Sequence, residues 1–159
     1  MTQIVIDTSL GLIKLMFENH QLVRVEQAQS KQRSGHIPQD VLQPVIDCIE
    51  GRRDGLEIPV KLEGSDFQLK VWEAMRLVPP AEVISYSELA KRAGNVRATR
   101  AVGSACGQNP CAIIVPCHRI VRRDRRLGGF FWGLAAKKTL LEREGLRIQG
   151  DQIIDSHDP

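Results

Sequence analysis

The chain is organised around residues 109 to 121, which read Asn-Pro-Cys-Ala-Ile-Ile-Val-Pro-Cys-His-Arg-Ile-Val. The apolar run 113–115 stops at Pro116, and such a run, closed by a residue that cannot donate to a ladder, predicts a short buried strand. Behind it stand a thiol, an imidazole and a guanidinium, those of Cys117, His118 and Arg119. The last two groups favour the thiolate, which is the nucleophilic form of a cysteine. The stretch predicts a reactive cysteine on a loop, against the plainer alternative that Cys117 is a small buried hydrophobic residue.

Length and composition exclude a fibrous, disordered or membrane-spanning chain. The 159 residues suffice for one sizeable core or two small ones, and the hydrophobic content of 42% is typical of globular proteins. No apolar run approaches the ~20 residues that cross a bilayer, and the N-terminus lacks a basic segment followed by an apolar one. We expect a cytoplasmic protein that has no membrane partner.

The cysteines argue against a disulfide framework. A chain of this size with only four of them, at positions 48, 106, 111 and 117, is better suited to reduced thiols. They form no Cys-x-x-Cys pair of the kind that holds zinc. We predict no metal and no cofactor.

Positive charge is concentrated in the segment that holds Cys117. Residues 1–62 carry 7 basic and 8 acidic side chains, residues 63–147 carry 15 and 8, and residues 148–159 carry none and 3. An excess of this size predicts an anionic partner for the middle segment. A solvated basic face is the alternative that charge alone leaves open.

The first part of the chain has the pattern of a small sheet followed by a helix. Apolar residues alternate along residues 2–26, with turn residues between them, which predicts a β-meander. Residues 27–37 have no periodicity and predict a mobile loop. Residues 38–50 place apolar side chains at helical spacing up to Gly51, and residues 56–60 predict a short strand.

The second part reads as mainly helical. Ser65 is the predicted N-cap of a helix that runs to Leu77. Ser85 and Glu88 have the spacing of a capping box, which predicts a helix over 89–93. A second helix over 98–107 follows a Gly-containing turn, and the pair has the helix-turn-helix pattern. A last helix is predicted over 134–143.

These elements predict an α+β fold. A small N-terminal domain of β-sheet plus helix spans 1–62. A mainly helical C-terminal domain, 63–147, contains the helix-turn-helix and a short strand that leads to the Pro-Cys-His-Arg loop. Residues 148–159 are predicted to be a peripheral acidic tail in which Ile153-Ile154 can add a short strand.

The second helix of the helix-turn-helix is unusually rich in small residues. Small side chains stand at Ala98, Ala101, Gly103, Ser104 and Ala105. Glycine in a helix lowers its stability. A helix with small side chains allows its backbone to approach another surface closely, which would account for their presence here. In that arrangement Arg97 and Arg100 project from a surface that otherwise carries only small side chains. Tight packing inside the core is the alternative.

Residues 66 to 145 resemble the C-terminal domain of the O6-alkylguanine-DNA alkyltransferases, the methylated-DNA-protein-cysteine methyltransferases. The matching stretches cover half of the chain in the family's order: Asp66-Phe67-Gln68, Val71-Trp72, Ile84-Ser85-Tyr86, Leu89-Ala90, Arg100-Ala101-Val102-Gly103, Asn109-Pro110, Ile114 to Arg119, Trp132-Gly133-Leu134, Lys137, Leu140-Leu141 and Glu144-Gly145. Each alone is weak, and the set is highly specific. The first 62 residues are similar to the family's variable N-terminal domain only in their β-then-helix pattern.

The resemblance implies a DNA repair protein that moves the alkyl group of O6-alkylguanine to its own cysteine, with O4-alkylthymine left open as a second substrate. Cys117 is implied as the acceptor, His118 as the base that deprotonates it through a water, and Glu144 as the group that orients the imidazole. Tyr86 is implied to turn the target phosphate and protonate the leaving base, and Asn109 to brace the loop before the cysteine. A thioether resists water, so each molecule of this methyltransferase is consumed in one turnover.

The resemblance also implies how DNA is held. The partner is double-stranded DNA with an alkylated guanine, bound by a monomer through the minor groove. Arg100 fills the gap left by the flipped base. Further DNA contacts are expected from the helix-turn-helix and the cysteine loop, at Arg97, Ala98, Ala101, Gly103, Ser104 and Arg119.

The implied guanine pocket contains one departure from the family pattern. Phe130, Trp132 and Gly133 are expected to form it, and many members carry a tyrosine where this chain has Phe130. A phenylalanine keeps the apolar wall but removes a hydroxyl, which leaves the range of alkyl groups open. The N-terminal region lacks the Cys and His cluster that gives some members a structural zinc.

Three other functions compete with repair. A non-catalytic binder of alkylated bases is disfavoured because Cys117 is present. A helix-turn-helix regulator would bind DNA with no dependence on a thiol. A cysteine hydrolase using Cys117 and His118 would turn over many times on an ester or peptide.

Overall fold

The computed structural model describes residues 1–154, which form two compact units. The first comprises residues 1–63 together with 110–115, and the second comprises 64–109 together with residues from 116 onward. The mixed α+β class predicted from the sequence is confirmed. Within the described residues, no helix has the length and apolar character to cross a membrane.

The first unit is built on an antiparallel sheet. It contains β1 (Thr2–Thr8), β2 (Gly11–Glu18) and β3 (Gln21–Gln27), as the alternating pattern predicts. The turn between β2 and β3 has positive φ at both central residues, 50° at Asn19 and 64° at His20, which matches the twist of a two-residue hairpin. The loop predicted at 27–37 is wrong at β4 (Arg33–Ser34), which pairs with β1. A strand of two residues is too short to show the alternation from which strands are predicted.

A helix packs its apolar face within this unit. It is α1 (Gln39–Ile49), and its buried side chains are those of Leu42, Val45, Cys48 and Ile49. They are matched by buried side chains at alternate positions of the sheet, at Ile13, Leu15 and Phe17. The sheet and helix predicted for this part of the chain therefore form with the expected bounds.

The strand predicted at 56–60 is wrong. Only Val60 forms a bridge, with Leu22, flanked by hydrogen bonds from the Leu22 amide to the Pro59 carbonyl and from the Lys61 amide to the Leu22 carbonyl, each 2.9 Å long. Ile58 is buried. Pro59 lacks the amide proton that a continuing ladder would need, and Leu56 is 47% exposed, so the apolar spacing of this stretch reflects neither a strand nor a continuous buried face.

The strand predicted just before the Pro-Cys-His-Arg loop is also wrong, because residues 111–115 form a buried turn. The Val115 amide donates to the Cys111 carbonyl at 2.9 Å, and Ile113 has a φ of 78°. The Val25 amide anchors the segment by donating to the Pro110 carbonyl at 2.9 Å. A Cβ added at Gly55 would lie 2.6 Å from the Ile114 carbonyl oxygen, so only glycine allows the two backbones to approach.

The second unit begins with the helices predicted from caps and periodicity. In α2 (Asp66–Arg76), Ser65 and Gln68 form a complete capping box. β5 (Ile84–Ser85) leads into α3 (Tyr86–Arg92), and a turn leads to α4 (Thr99–Gly107). The indole nitrogen of Trp72 donates to the Ala105 carbonyl at 2.8 Å, which ties α2 to α4.

The predicted capping box of α3 forms only in part. The Ser85 hydroxyl accepts the Glu88 amide at 3.0 Å, as expected. The Glu88 carboxylate pairs with Arg92 at 3.2 Å, one helical turn further along the chain. An exposed guanidinium at i,i+4 thus takes the place of the reciprocal contact.

The last elements close the unit around a small apolar cluster. β6 (Ile120–Val121) and α5 (Leu134–Arg143) are followed by a hairpin of β7 (Arg147–Gln149) and β8 (Gln152–Ile154). The cluster consists of Val121, Leu127, Leu141 and Ile153. The prediction of a peripheral tail is therefore wrong up to Ile154, whereas the strand at Ile153-Ile154 is confirmed. The predicted tail also includes residues 155–159, which lie outside the described residues.

Candidate active site

Cys117 is the first residue of a tight turn that leads into β6. Pro116 precedes a single 3-10 turn, Cys117–Arg119, and β6 follows directly. β6 pairs in parallel with β5, with Ser85 opposite Val121. Because Tyr86 comes immediately after Ser85, this pairing brings the side chains of Tyr86 and Cys117 to the same cavity.

The Cys117 thiol is buried, with 6% of the residue exposed. Burial raises the pKa of this thiol above its ordinary value, although a hydrogen bond with the Asn109 side chain and the positive charge of Lys137 act in the opposite direction. The resting group is therefore a neutral thiol, and the thiolate favoured by the sequence pattern is not the resting state. Its activation requires a base.

The adjacent His118 has a ring nitrogen that can accept a proton. Its Nε2 lies 3.0 Å from Oε2 of Glu144, and its buried Nδ1 has no hydrogen-bond partner within residues 1–154. Burial lowers the pKa of His118 despite the opposing effects of Glu144, so the ring is neutral. An ionised carboxylate can only accept, so Nε2 carries the single ring proton and Nδ1 keeps its lone pair.

Glu144, the C-cap residue of α5, stays ionised while largely buried. Burial by itself would raise the pKa of the carboxyl group, but hydrogen bonds from His118 and Arg119, together with the positive charge of Arg119, lower it to about 2. The negative end of the helix dipole lies at this position, which makes the compensation by a neighbouring cation more important.

The predicted DNA contact of Arg119 is contradicted by its burial. The residue is 3% exposed, and its guanidinium grips Glu144 with Nε to Oε1 at 3.0 Å and a terminal nitrogen to Oε2 at 2.8 Å. The other terminal nitrogen donates to the Val78 carbonyl at 2.7 Å. A buried carboxylate needs a fixed counter-charge, and this forked contact supplies it.

Lys137 is a buried cation that the sequence pattern did not single out as part of the site. It is 0% exposed and donates to three carbonyls, those of Ile120 at 2.7 Å, Gly129 at 3.0 Å and Leu127. Three acceptors match the three protons of an ammonium group. Burial lowers the pKa of Lys137 to about 8, and the nearby Cys117 and Cys106 act in the opposite direction. The available signal was its helical spacing from Leu140 and Leu141, which places it on the buried face of α5.

A cavity of about 270 Å³ adjoins the thiol. Besides Cys117 and Tyr86, it is lined by residues of α4 and of the loop before α5, namely Gly103, Cys106, Gly107, Gly129, Phe130 and Phe131. Such a volume is at the small end of ligand sites, which suits one planar base. Cys106, Gly107, Gly129 and Phe131 were not predicted, and only the fold brings them together.

Two of the predicted pocket residues do not line the cavity. Phe130 does, but Trp132 is buried at 8% exposure and Gly133 is the N-cap of α5 with a φ of 96°. The Gly133 amide donates to the Phe130 carbonyl at 3.0 Å, so the chain turns within these four residues. Phe131, 74% exposed, therefore stands at the cavity in place of Trp132.

The small face of α4 points outward. Of the residues predicted to meet DNA, four are exposed, namely Arg97, Arg100, Ala101 and Ser104, and two are half-buried, Ala98 and Gly103. The buried face carries Val102, Ala105 and Cys106. A Cβ added at Gly103 or Gly107 would meet no atom within 4 Å, so internal packing does not require glycine at either position. Tight core packing therefore does not explain the small residues Ala101, Gly103 and Ser104, although it fits Ala105.

Comparison with known proteins agrees with this geometry. A family model described as the DNA-binding domain of 6-O-methylguanine DNA methyltransferase matches residues 66–146. A probable methylated-DNA-protein-cysteine methyltransferase of Acanthamoeba polyphaga mimivirus is 35% identical over 91% of this chain and 97% of its own length. The Mycobacterium tuberculosis OGT, solved in complex with DNA, aligns with a TM-score of 0.76 and 30% identity over 89% of this chain and 91% of its own.

Other relatives are longer proteins. The bifunctional transcriptional activator and DNA repair enzyme Ada of Escherichia coli is 44% identical over 67% of this chain, which spans 30% of Ada. The match to the family model covers half of the chain, and the mimivirus relative matches it over nearly its whole length. The chain thus belongs to the 6-O-methylguanine DNA methyltransferase family.

Proposed function

We propose that the protein repairs DNA by transferring the alkyl group of O6-alkylguanine irreversibly to Sγ of Cys117. The observation that carries the proposal is a buried thiol in a cavity suited to one base, next to a neutral His118 whose Nδ1 is free to accept a proton. Relatives named methylated-DNA-protein-cysteine methyltransferases support the same chemistry. The protein is then a methylated-DNA-protein-cysteine S-methyltransferase.

The first step is removal of the thiol proton. His118 takes the proton of Sγ on Nδ1 through one bridging water, which gives that buried nitrogen the partner it otherwise lacks. The ionised Glu144 stabilises the imidazolium, and Arg119 holds Glu144 in place. This is the arrangement of a catalytic triad with a thiol as its nucleophile.

The second step is displacement at the alkyl carbon. Sγ forms a bond to that carbon as the bond from the carbon to O6 breaks, and the electron pair of the broken bond stays with the guanine. The leaving base takes a proton from the Tyr86 hydroxyl, which the imidazolium proton replaces. Burial, with smaller effects of Cys106 and Cys117, raises the pKa of Tyr86 to about 12, so its hydroxyl is protonated at neutral pH before the reaction. Water does not cleave the thioether, so each molecule acts once.

Delivery of the base requires that it leave the duplex, because the acceptor thiol is buried. The exposed small face of α4 lets the helix backbone approach the minor groove, with Ala101 and Ser104 as its outward residues. Arg100 is exposed on the same helix and fills the space that the flipped base leaves. Phosphate contacts and stacking offset the few kcal/mol that flipping costs.

The test is the intact mass of the protein after incubation with a duplex that contains one O6-methylguanine. We expect each molecule to gain the mass of one CH₂ group, located on Cys117 by peptide mapping, and Cys117→Ser to gain nothing. Cys48→Ser is the matched control, since it removes another buried thiol in the first unit.

Other outcomes distinguish the competing functions. An unmodified protein under reducing conditions rules out alkyl transfer. Binding to DNA that is independent of the thiol then points to a regulator, and repeated turnover of an ester points to a hydrolase.

A further inference from the structure

We propose that residues 122–126, Arg-Arg-Asp-Arg-Arg, form a second site for the DNA backbone, in which Arg123 and Arg125 bind phosphates of the duplex whose base enters the cavity. This segment is named the arginine turn below. The inference rests on the proposed function, because it concerns the same DNA.

The arginine turn is held rigidly by its backbone. The Arg125 amide donates to the Arg122 carbonyl at 3.0 Å, and the Arg122 amide donates to the Arg126 carbonyl at 2.9 Å. Two further bonds fix it to the C-terminal hairpin, from the Leu127 amide to the Asp151 carbonyl at 2.8 Å and from the Ile153 amide to the Arg125 carbonyl at 2.9 Å. The buried Ile153 anchors that hairpin in the apolar cluster. The backbone of the arginine turn therefore loses little conformational entropy when it binds a ligand.

The charges of the arginine turn are only half compensated. Asp124 lies 3.4 Å from Arg122 and 3.6 Å from Arg126, and Asp151 lies 3.7 Å from Arg126. Arg123 and Arg125 are exposed, and no carboxylate of residues 1–154 lies within ion-pair distance of either. Within residues 1–154, four guanidiniums against two carboxylates leave two positive charges without a carboxylate partner. A polyanion with regularly spaced phosphates is the partner that this arrangement suits.

The arginine turn adjoins the wall of the cavity. A Cβ added at Gly128 would lie 3.2 Å from the Tyr86 hydroxyl and 3.4 Å from Cγ of Arg122. Tyr86 lines the cavity together with the next residues of the loop, Gly129 and Phe130. The turn therefore starts at the loop side of the cavity, whereas α4 forms another part of its lining. A duplex that delivers a base to Cys117 passes within reach of both.

The experiment measures DNA affinity against salt. The full chain with Cys117→Ser binds a duplex containing O6-methylguanine without transfer, and its logarithmic affinity is plotted against the logarithm of salt concentration. Adding Arg123→Gln and Arg125→Gln should make the slope shallower by about 1.8, since each lost phosphate contact contributes about 0.9. The matched control is Arg52→Gln with Arg53→Gln, which removes the same charge from exposed arginines that already have acidic partners. Its slope should not change.

A second measurement locates the phosphates. Single phosphates of the duplex are replaced one at a time by neutral methylphosphonates. At one or two positions the replacement should weaken binding by the parent protein and have no effect on the double variant. An unchanged slope, or the same methylphosphonate profile for both proteins, overturns the proposal.

A free-base assay separates this inference from the proposed function. With Cys117 intact, the double variant should take up the alkyl group of O6-methylguanine free base at the parent rate. If the parent protein itself acquires no alkyl group from duplex or free base, the proposed function fails. If it does, and the salt slopes coincide, only the arginine turn is ruled out.

Discussion

Arg119 and Arg123 stand four positions apart in one basic run and have opposite surroundings. Arg119 is 3% exposed, and its guanidinium donates hydrogen bonds to Glu144 and the Val78 carbonyl. Arg123 is exposed and has no acidic partner among residues 1–154. Arg119 belongs to a buried polar cluster that consists of His118, Arg119 and Glu144, called the buried cluster from here on. Arg123 belongs to a surface segment whose charge is only partly balanced by carboxylates of residues 1–154.

This difference distinguishes the buried residues that we propose for the chemistry from the exposed residues that we propose for DNA binding. In the buried cluster, charges are matched within the protein, so the protonation states of His118 and Glu144 are set before DNA arrives. On the arginine turn and on α4, charges and small residues are left for a partner. Changes in the cluster should therefore alter stability and chemistry, whereas changes on the surface should alter DNA binding alone.

The largest expected effect is that of Glu144→Gln, which breaks the buried cluster. It leaves the Arg119 guanidinium without its counter-charge, which should reduce the free energy of unfolding by about 3 kcal/mol. Loss of the ionised partner of His118 should also slow transfer by roughly 10²-fold or more. Urea unfolding and single-turnover repair rates measure the two effects.

The matched control for this change is Glu142→Gln, an exposed carboxylate two residues earlier on α5. It should leave both quantities nearly unchanged. A Glu144 variant as stable and as fast as the parent would mean that the buried cluster is not what prepares the thiol.

The next largest expected effect is that of Arg100→Ala, which removes an exposed side chain of α4. Because flipping costs a few kcal/mol, loss of the group that fills the gap should slow duplex repair by up to roughly 10²-fold. Reaction with O6-methylguanine free base should keep its rate, since no extrusion is needed. Arg92→Ala, at an arginine already paired with Glu88, is the control. Equal losses on duplex and free base would argue against this role.

A smaller effect appears in the dependence of stability on pH. The folded pKa of Glu144 is about 2 against an ordinary value of 4.5, so its contribution is fully present above pH 4.5 and is lost as pH falls toward 2. Between these values the parent should lose about 2 kcal/mol more than Glu144→Gln, allowing for the partial exposure of the group. Unfolding curves over this range test the difference, and parallel profiles for the two proteins would contradict it.

The smallest expected effect is that of Ala101→Leu, which adds bulk to the exposed face of α4. Stability should stay within about 0.5 kcal/mol, because the residue is exposed and the helix favours leucine. Affinity for duplex DNA should fall by roughly tenfold, since the helix can no longer approach as closely. Ala135→Leu, at an exposed position of α5, is the control. Undiminished affinity for DNA would show that this face does not meet the duplex.

Sequence patterns predicted the helices well because their local signals are strong. Ser65 is the N-cap that was predicted for α2, and α5 spans Leu134–Arg143, the range predicted from its apolar spacing. The meander formed for the same reason, since alternation over seven or eight residues is unambiguous.

The misses have a common origin in tertiary structure. Residues 111–115 form a buried turn, and residues 56–60 form a mostly exposed turn in which Ile58 is the buried residue; an apolar run of four or five residues does not distinguish either from a strand. Arg119 was assigned to DNA because the sequence does not reveal that Glu144 lies beside it. The cavity wall at Phe131 and Cys106 depends on how the loop before α5 and α4 meet, which no local pattern encodes.

Gly55 carries a consequence for genetics. Any larger residue there would push against the Ile114 carbonyl, two positions before Pro116 and three before Cys117. A screen for loss-of-function alleles should therefore recover substitutions at a codon far upstream of the acceptor, in proteins whose catalytic side chains are all intact. A survey that scored only the alkyl acceptor, its base and its acid would classify such alleles as harmless.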